Sequence, residues 1–433
     1  MPSQAAPSLY QELIHKTIDQ VAADSKDWLG ENLLQCALVS RAFRPRSQLY
    51  MFSSIGIRGN STSRQQRIQK LFEIIKQNPN VAHYIEELSL ECTGDEYSWI
   101  TEDATFTAVM AKISSARQLR KLTIGADPHM GDGYDTLRLE HPQPLVDHFF
   151  LPFIAPFITS LSFHGLLNLP IDIVASCVNL TDLELLHVKF EASEEVGHAD
   201  CLPLKLQSLS HRLSQPALEK LFATTSDGSG SILDLSQLKY FTVYTDELED
   251  LELEQQIIDR SSESLEELYI LTMDTTFGGT FHGIVNLRDL SHLRQLHAHV
   301  LFPEDSLVSI CQTLSTIRAR SLVNLFIEAK VAFRDLSEPE VVFDADWAAF
   351  CKEVARTLSH DGSFFEFKMT YLYKDNTNMD LDDHEALLAR RCEIIMAKLR
   401  REKFGLLDED PHFTVAVSHV LEFDPTFEYS LSE

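Results

Sequence analysis

The sequence predicts an α/β protein in which a small helical module precedes an irregular solenoid of strand-then-helix units. The first observation is a six-residue pattern, apolar-x-x-apolar-x-apolar, starting at 85, 119, 158, 180, 206, 238, 265, 293, 322 and 364, the copy at 206 being weaker because His211 replaces its last apolar residue. Copies recur 22 to 42 residues apart, a loose period of about 28 that marks a repeat array. The second is that amphipathic stretches such as "LEQQIIDRSSES" and "DSLVSICQTLSTIRAR" separate the copies, so each strand is followed by a helix. The third is "LYQELIHKTIDQVAADSKDWLGENLLQCALVSRAF" at 9–43, which has helical periodicity and lacks the repeat. The chain of 433 residues also exceeds what one core usually organises.

In order, residues 8–55 read as the helical module, 56–84 as a linking helix and turn, and 85–433 as the repeat domain. In the module Leu13, Ile14, Thr17, Ile18 and Val21 form one stripe, and Leu33, Leu34, Ala37 and Leu38 a second. Ile68, Leu71, Phe72 and Ile75 give the linking helix, which Asn78-Pro79 stops. Within the repeats, the stretches at 126–144, 191–203 and 224–231 are rich in turn and charged residues and are expected to be irregular loops. "DADWAAFCKEVARTLS" and "LDDHEALLARRCEIIMAKLRREKF" predict long helices in enlarged terminal units, and "HFTVAVSHVLEF" a closing strand.

Composition narrows the function. The formal charge of −28 is uneven: residues 1–70 hold nine Lys/Arg against five Asp/Glu, leaving 28 against 60 elsewhere. An acidic body repels phosphate, so neither nucleic acid nor an anionic membrane is an expected partner, whereas a basic protein segment is. No signal sequence or membrane span is legible and the seven cysteines are scattered without a C-x-x-C pair, which predicts an intracellular protein with free thiols. No catalytic motif completes itself. "GDGYDT" lacks the third glycine of a dinucleotide fingerprint, His384-Glu385 meets Leu388 where a zincin needs histidine, and "DNTNMDLDDHE" resembles a calcium loop only in composition. His297 and His299 lie two apart on a predicted strand and share a face, but partly exposed sheet histidines are commoner than metal ligands. The acidic run at 246–255 reads as a solvated helix face. The expectation is therefore a protein with no catalytic residue, cofactor or metal.

The repeat pattern resembles leucine-rich repeats of the longer, helix-containing kind, with parallel strands on a concave face and helices outside. In "LYQELI", "LLQCALVSRAF" and "LYMFSSIGI" the module resembles the F-box of fungal F-box-like proteins, with Tyr10 where that family has proline. The resemblance implies a box that docks on a Skp-type adaptor of a cullin-RING ubiquitin ligase while the repeats choose a protein substrate for degradation. Carried onto this chain, the adaptor-binding and box-core positions are Leu9, Leu13, Ile14, Ile18, Leu33, Leu34, Cys36, Leu38, Val39 and Phe43. The alternative is a non-enzymatic repeat scaffold whose helices only cap the array.

Parallel stacking lines up equivalent positions, so a concave row is expected through Ser89, Thr123, Ser162, Glu184, Ser210, Thr242, Tyr269, His297, Phe326 and Lys368. With Tyr240, Tyr244, His299 and Glu328 beside it, this row supplies the candidate substrate surface: Tyr240, Thr242, Tyr244, Tyr269, His297, His299, Phe326 and Glu328. It faces either a substrate or the protein's own C-terminal helices.

Overall fold

The computed structural model describes residues 9–24, 31–92, 97–126, 136–140, 142–191, 203–222, 231–244, 251–271, 285–302, 307–318, 322–333, 345–358, 362–373, 381–404, 407 and 413–423. Of the expected loops, residues 127–135, 192–202 and 224–230 lie outside the described residues, but Leu137–Arg138 is a short strand paired with Leu166 and Leu167, and Gln143–Leu145 is helical, so the first stretch is not loop throughout. The chain is mixed α/β and divides into two compact units, Met1–Leu204 with Thr224–Ile232, and Lys205–Ala223 with Leu233–Glu433.

The first unit opens with helices α1 (Leu9–Asp24), α2 (Glu31–Val39), α3 (Arg44–Ser53) and α4 (Ser61–Gln77). Asn60 caps α4 by accepting the Ser63 N–H at 3.1 Å, and the helix ends at Asn78, before Pro79. Five parallel strands follow in neighbour order: β1 (Ser54–Ile57), β2 (Glu87–Cys92), β3 (Lys121–Ala126), β4 (Ser160–His164) and β5 (Asp182–Leu186). The second and third apolar positions of each repeat point inward: Leu88 and Leu90, Leu122 and Ile124, Leu161 and Phe163, Leu183 and Leu185 are all buried. Strand β1 carries the same pattern, with Phe52, Ile55 and Ile57 at the positions of Ile85, Leu88 and Leu90, but it falls where the sequence suggests the end of the helical module, so the repeat read from 85 onward leaves it out. Gly125 is required by close packing, since a Cβ there would lie 2.5 Å from His164 Cβ and 2.6 Å from its carbonyl oxygen.

In the second unit seven parallel strands run in chain order: β6 (Ser208–Arg212), β7 (Tyr240–Tyr244), β8 (Glu267–Leu271), β9 (Gln295–Phe302), β10 (Asn324–Phe333), β11 (Ser363–Tyr373) and β12 (Phe413–Phe423). Helices Leu251–Arg260, Val308–Thr316 and Trp347–Thr357 follow β7, β9 and β10, as the amphipathic stretches predict, and Leu381–Glu402 precedes the last strand. Asp346 starts the third of these by accepting the Ala349 N–H at 2.9 Å. Trp347, Phe350, Phe365, Phe367 and Phe404 form an aromatic core with neighbouring ring centroids 5.2 to 6.3 Å apart.

Two expectations are corrected here. The copy read from Phe364 is two residues out of register: Phe326 pairs with Glu366, while Lys368 pairs with Glu328. The position that carries leucine at 265, 293 and 322 is Gly362, at φ +82°, so the apolar pattern slid to the next strong residue. In the acidic run, residues 245–250 lie outside the described residues, and Glu254 is not solvated but 1% exposed.

Candidate partner-binding surfaces

The positions assigned to the N-terminal module separate into two sets. Ile14, Ile18 and Leu33 are buried together, Ile18 completely, with Val21, Ala22, Ala42, Phe43, Tyr50 and Met51 packed against them. Tyr10 at 69% exposure, Leu13, Leu34, Leu38 at 68% and Val39 at 71% instead face solvent. Cys36 is intermediate, and the side chain of Leu9 lies outside the described residues. Helical spacing explains the division. In α1, Ile14 and Ile18 are four apart and turn to the core, whereas Leu13 falls on another face; Tyr10 shares the Ile14 stripe but lies in the first turn of the helix, before the core begins. In α2, Leu33 and Ala37 turn inward while Leu34 and Leu38 turn outward.

A polar clamp fixes this arrangement. Arg46 on α3 donates to both carboxylate oxygens of Asp19 on α1, at 2.8 and 3.1 Å, and Tyr50 adds its hydroxyl at 3.0 Å. The Arg46 guanidinium also lies 5.3 Å from the Tyr50 ring centroid. The hydrogen bond from Arg46 holds the Asp19 carboxyl below its ordinary range.

The second surface is the outer sheet face of the second unit. Register places Thr242, Tyr269, His297 and Phe326 in one row across β7 to β10, as expected. Ring centroids lie 5.6 Å apart for Tyr269 and His297, 5.8 Å for His297 and Phe326, and 5.6 Å for Phe326 and Phe364. Tyr269 donates its hydroxyl to Glu267 at 2.9 Å and accepts from Gln295 at 2.6 Å. Burial, with Glu267 adding to it, pushes that phenol up to about 12. Tyr240 is exposed, Thr242 and Tyr244 are intermediate, and His299 is buried.

Beside the row, His299 Nε2 approaches Glu328 Oε2 at 3.6 Å, and the other Glu328 oxygen accepts from Thr370 at 2.7 Å and Lys368 at 3.2 Å. Burial acts to raise the Glu328 carboxyl, but Thr370, His299 and Lys368 outweigh it and hold it low. Burial lowers the His297 imidazole, so it is neutral at physiological pH. Neither Lys368 nor Thr370 is in the sequence-derived surface. Lys368 was placed one row away by the register slip, and Thr370 lies beyond the six-residue pattern.

A related cluster occupies the first unit, where the Ser162 hydroxyl donates to Glu184 and sits 2.8 Å from His164 Nε2. Against the effect of burial, His164 and Ser162 lower the Glu184 carboxyl. Serine touches both partners itself, so the three do not form a nucleophile-base-orienter relay. Among the described residues no helix is long and apolar enough to cross a membrane. No protein-family model and no curated protein matches the chain.

Proposed function

We propose that the protein is a non-enzymatic substrate receptor of a cullin-RING ubiquitin ligase. Its F-box-like module docks on a Skp-type adaptor, and its leucine-rich-repeat solenoid holds the target protein on the aromatic sheet face of the second unit. The reaction itself belongs to other subunits, which this protein assists by bringing the target near them. The supporting observation is the set of exposed apolar side chains on the module, Tyr10 and Leu13 on α1 and Leu34, Leu38 and Val39 on α2, left facing solvent by helices whose own core is already filled by Ile14, Ile18 and Leu33. On α2, Leu34, Leu38 and Val39 fall within about one and a half turns of one another, and exposed apolar neighbours of that kind mark a contact surface. The acidic repeats and the Tyr269-His297-Phe326 row favour a basic target with apolar anchors.

The same division selects the test. Leu33 is a core residue, so Leu38→Asp with Val39→Asp is the variant that removes the contact face and spares the fold. Burying each side chain contributes about 1.5–3 kcal/mol, so the double change should weaken co-purification with a Skp-type adaptor by roughly a hundredfold or more at unchanged melting temperature. Failure of the wild type to bind the adaptor would overturn the reading and favour a scaffold.

A further inference from the structure

We propose that His297, His299 and Glu328 form a binding site for a divalent transition metal of the zinc class. Their ligand atoms all lie within 4.8 Å of one another. Zinc bonded to three such atoms at about 2.0–2.1 Å in tetrahedral geometry separates them by roughly 3.3 Å, so rotations moving each donor by about an ångström complete the site.

The fold brings the set together. Two histidines two residues apart on β9 share a face, and the parallel register sets Glu328 opposite His299. Tyr269 and Phe326 flank the His297 ring and restrict its swing. On the carboxylate, Thr370 and Lys368 occupy one oxygen and leave the other facing the imidazole of His299. Such an outer contact orients a ligand without competing for the metal. Two imidazoles and one carboxylate suit zinc, cobalt, nickel or copper, and leave a coordination position for water or a partner's donor. Calcium and magnesium require oxygen-rich shells that this set does not supply.

One group opposes the metal. The Lys368 ammonium sits beside Glu328 and repels a second cation. Its side chain is about one-third exposed, so it can turn to solvent, and neutralising it should improve binding. Among the described residues, the two other His-Glu clusters lack this donor set. His164 and Glu184 share a serine hydroxyl in place of a second imidazole, and His211 with Glu254 is sealed from solvent.

The test is calorimetric titration of the chelator-treated full chain with Zn2+ alone, which requires no adaptor or substrate and so stands apart from the ligase reading. The expected result is one equivalent bound, with affinity reduced at least tenfold in His297→Ala, His299→Ala and Glu328→Gln and increased several-fold in Lys368→Met. Binding unchanged in all three ligand variants, or no zinc taken up by the wild type, would overturn the site. If a variant fails to fold, zinc protection of His297 and His299 in the wild type against diethyl pyrocarbonate, read by peptide mass, decides the matter; equal modification with and without zinc refutes it.

Discussion

Two histidine-glutamate pairs on opposite faces of the second unit's sheet have almost the same separation and different chemistry. His211 and Glu254 approach at 3.5 Å, His299 and Glu328 at 3.6 Å. The first pair lies on the helix-covered face, with exposures of 0% and 1%, and the His211 ring stacks on Phe241 at 5.9 Å. Burial pushes that imidazole down to about 3, so it carries no charge at neutral pH and forms no ion pair. The second pair is covered less completely, with side-chain exposures of 10% and 15%, and Lys368 and Thr370 stabilise its carboxylate. Distance alone therefore does not define such a pair; the surrounding dielectric and the other hydrogen-bond donors decide whether it behaves as core or as a site.

The contrast can be broken most forcefully at the buried pair. Glu254→Ala, which leaves a cavity beside an uncompensated imidazole, should cost about 2–4 kcal/mol in chemical denaturation. His211→Leu combined with Glu254→Leu should be close to the wild type or slightly more stable. Equal destabilisation by the single and double changes would show that the two residues do not act together.

A smaller effect is expected from pH. His211 has its folded pKa below an unfolded value of about 6.5, so the unfolded chain binds a proton that the native chain refuses. The stability it contributes is complete above about pH 6.5 and declines toward pH 3, by roughly 1.4 kcal/mol per unit. Urea midpoints between pH 7 and pH 5 should fall in the wild type and fall less in the double leucine variant.

Weakest of all are changes at the open pair. Thr370→Val removes a hydrogen bond to a carboxylate and should cost about 1–2 kcal/mol while raising the Glu328 pKa, which NMR titration reads directly. Lys368→Met removes a partly exposed ion pair and should cost no more than about 0.5 kcal/mol. A larger loss from Lys368 than from Thr370 would make the outer face as dry as the inner one.

The repeat pattern made β2 through β10 legible because each strand buries two alternating side chains that the six-residue pattern contains. It failed where a backbone requirement replaced the leading leucine, as at Gly362, and it passed over β1, whose complete copy from Phe52 to Ile57 is hidden by running straight on from the last helix of the module. The aromatic row was visible because parallel register follows from repeat spacing. Polar contacts were less accessible. His211 stood out only as a break in an apolar pattern, and its burial against Glu254 depends on a helix whose acidic run looks solvated in one dimension. The module's stripes were evident, but their separation into core and outer face depends on how α1, α2 and α3 pack, which periodicity alone does not determine.

The Asp19-Arg46-Tyr50 clamp carries a kinetic consequence. The clamp joins α1 to α3 in the free protein and Leu33 ties α2 to the same core, so for the adaptor docking proposed above little ordering would remain for the moment of encounter. Association should then proceed as a single-step collision with a rigid body, free of a slow rearrangement phase. The Arg46 and Asp19 side chains are 33% and 39% exposed, so concentrated salt should loosen the helices and introduce that phase.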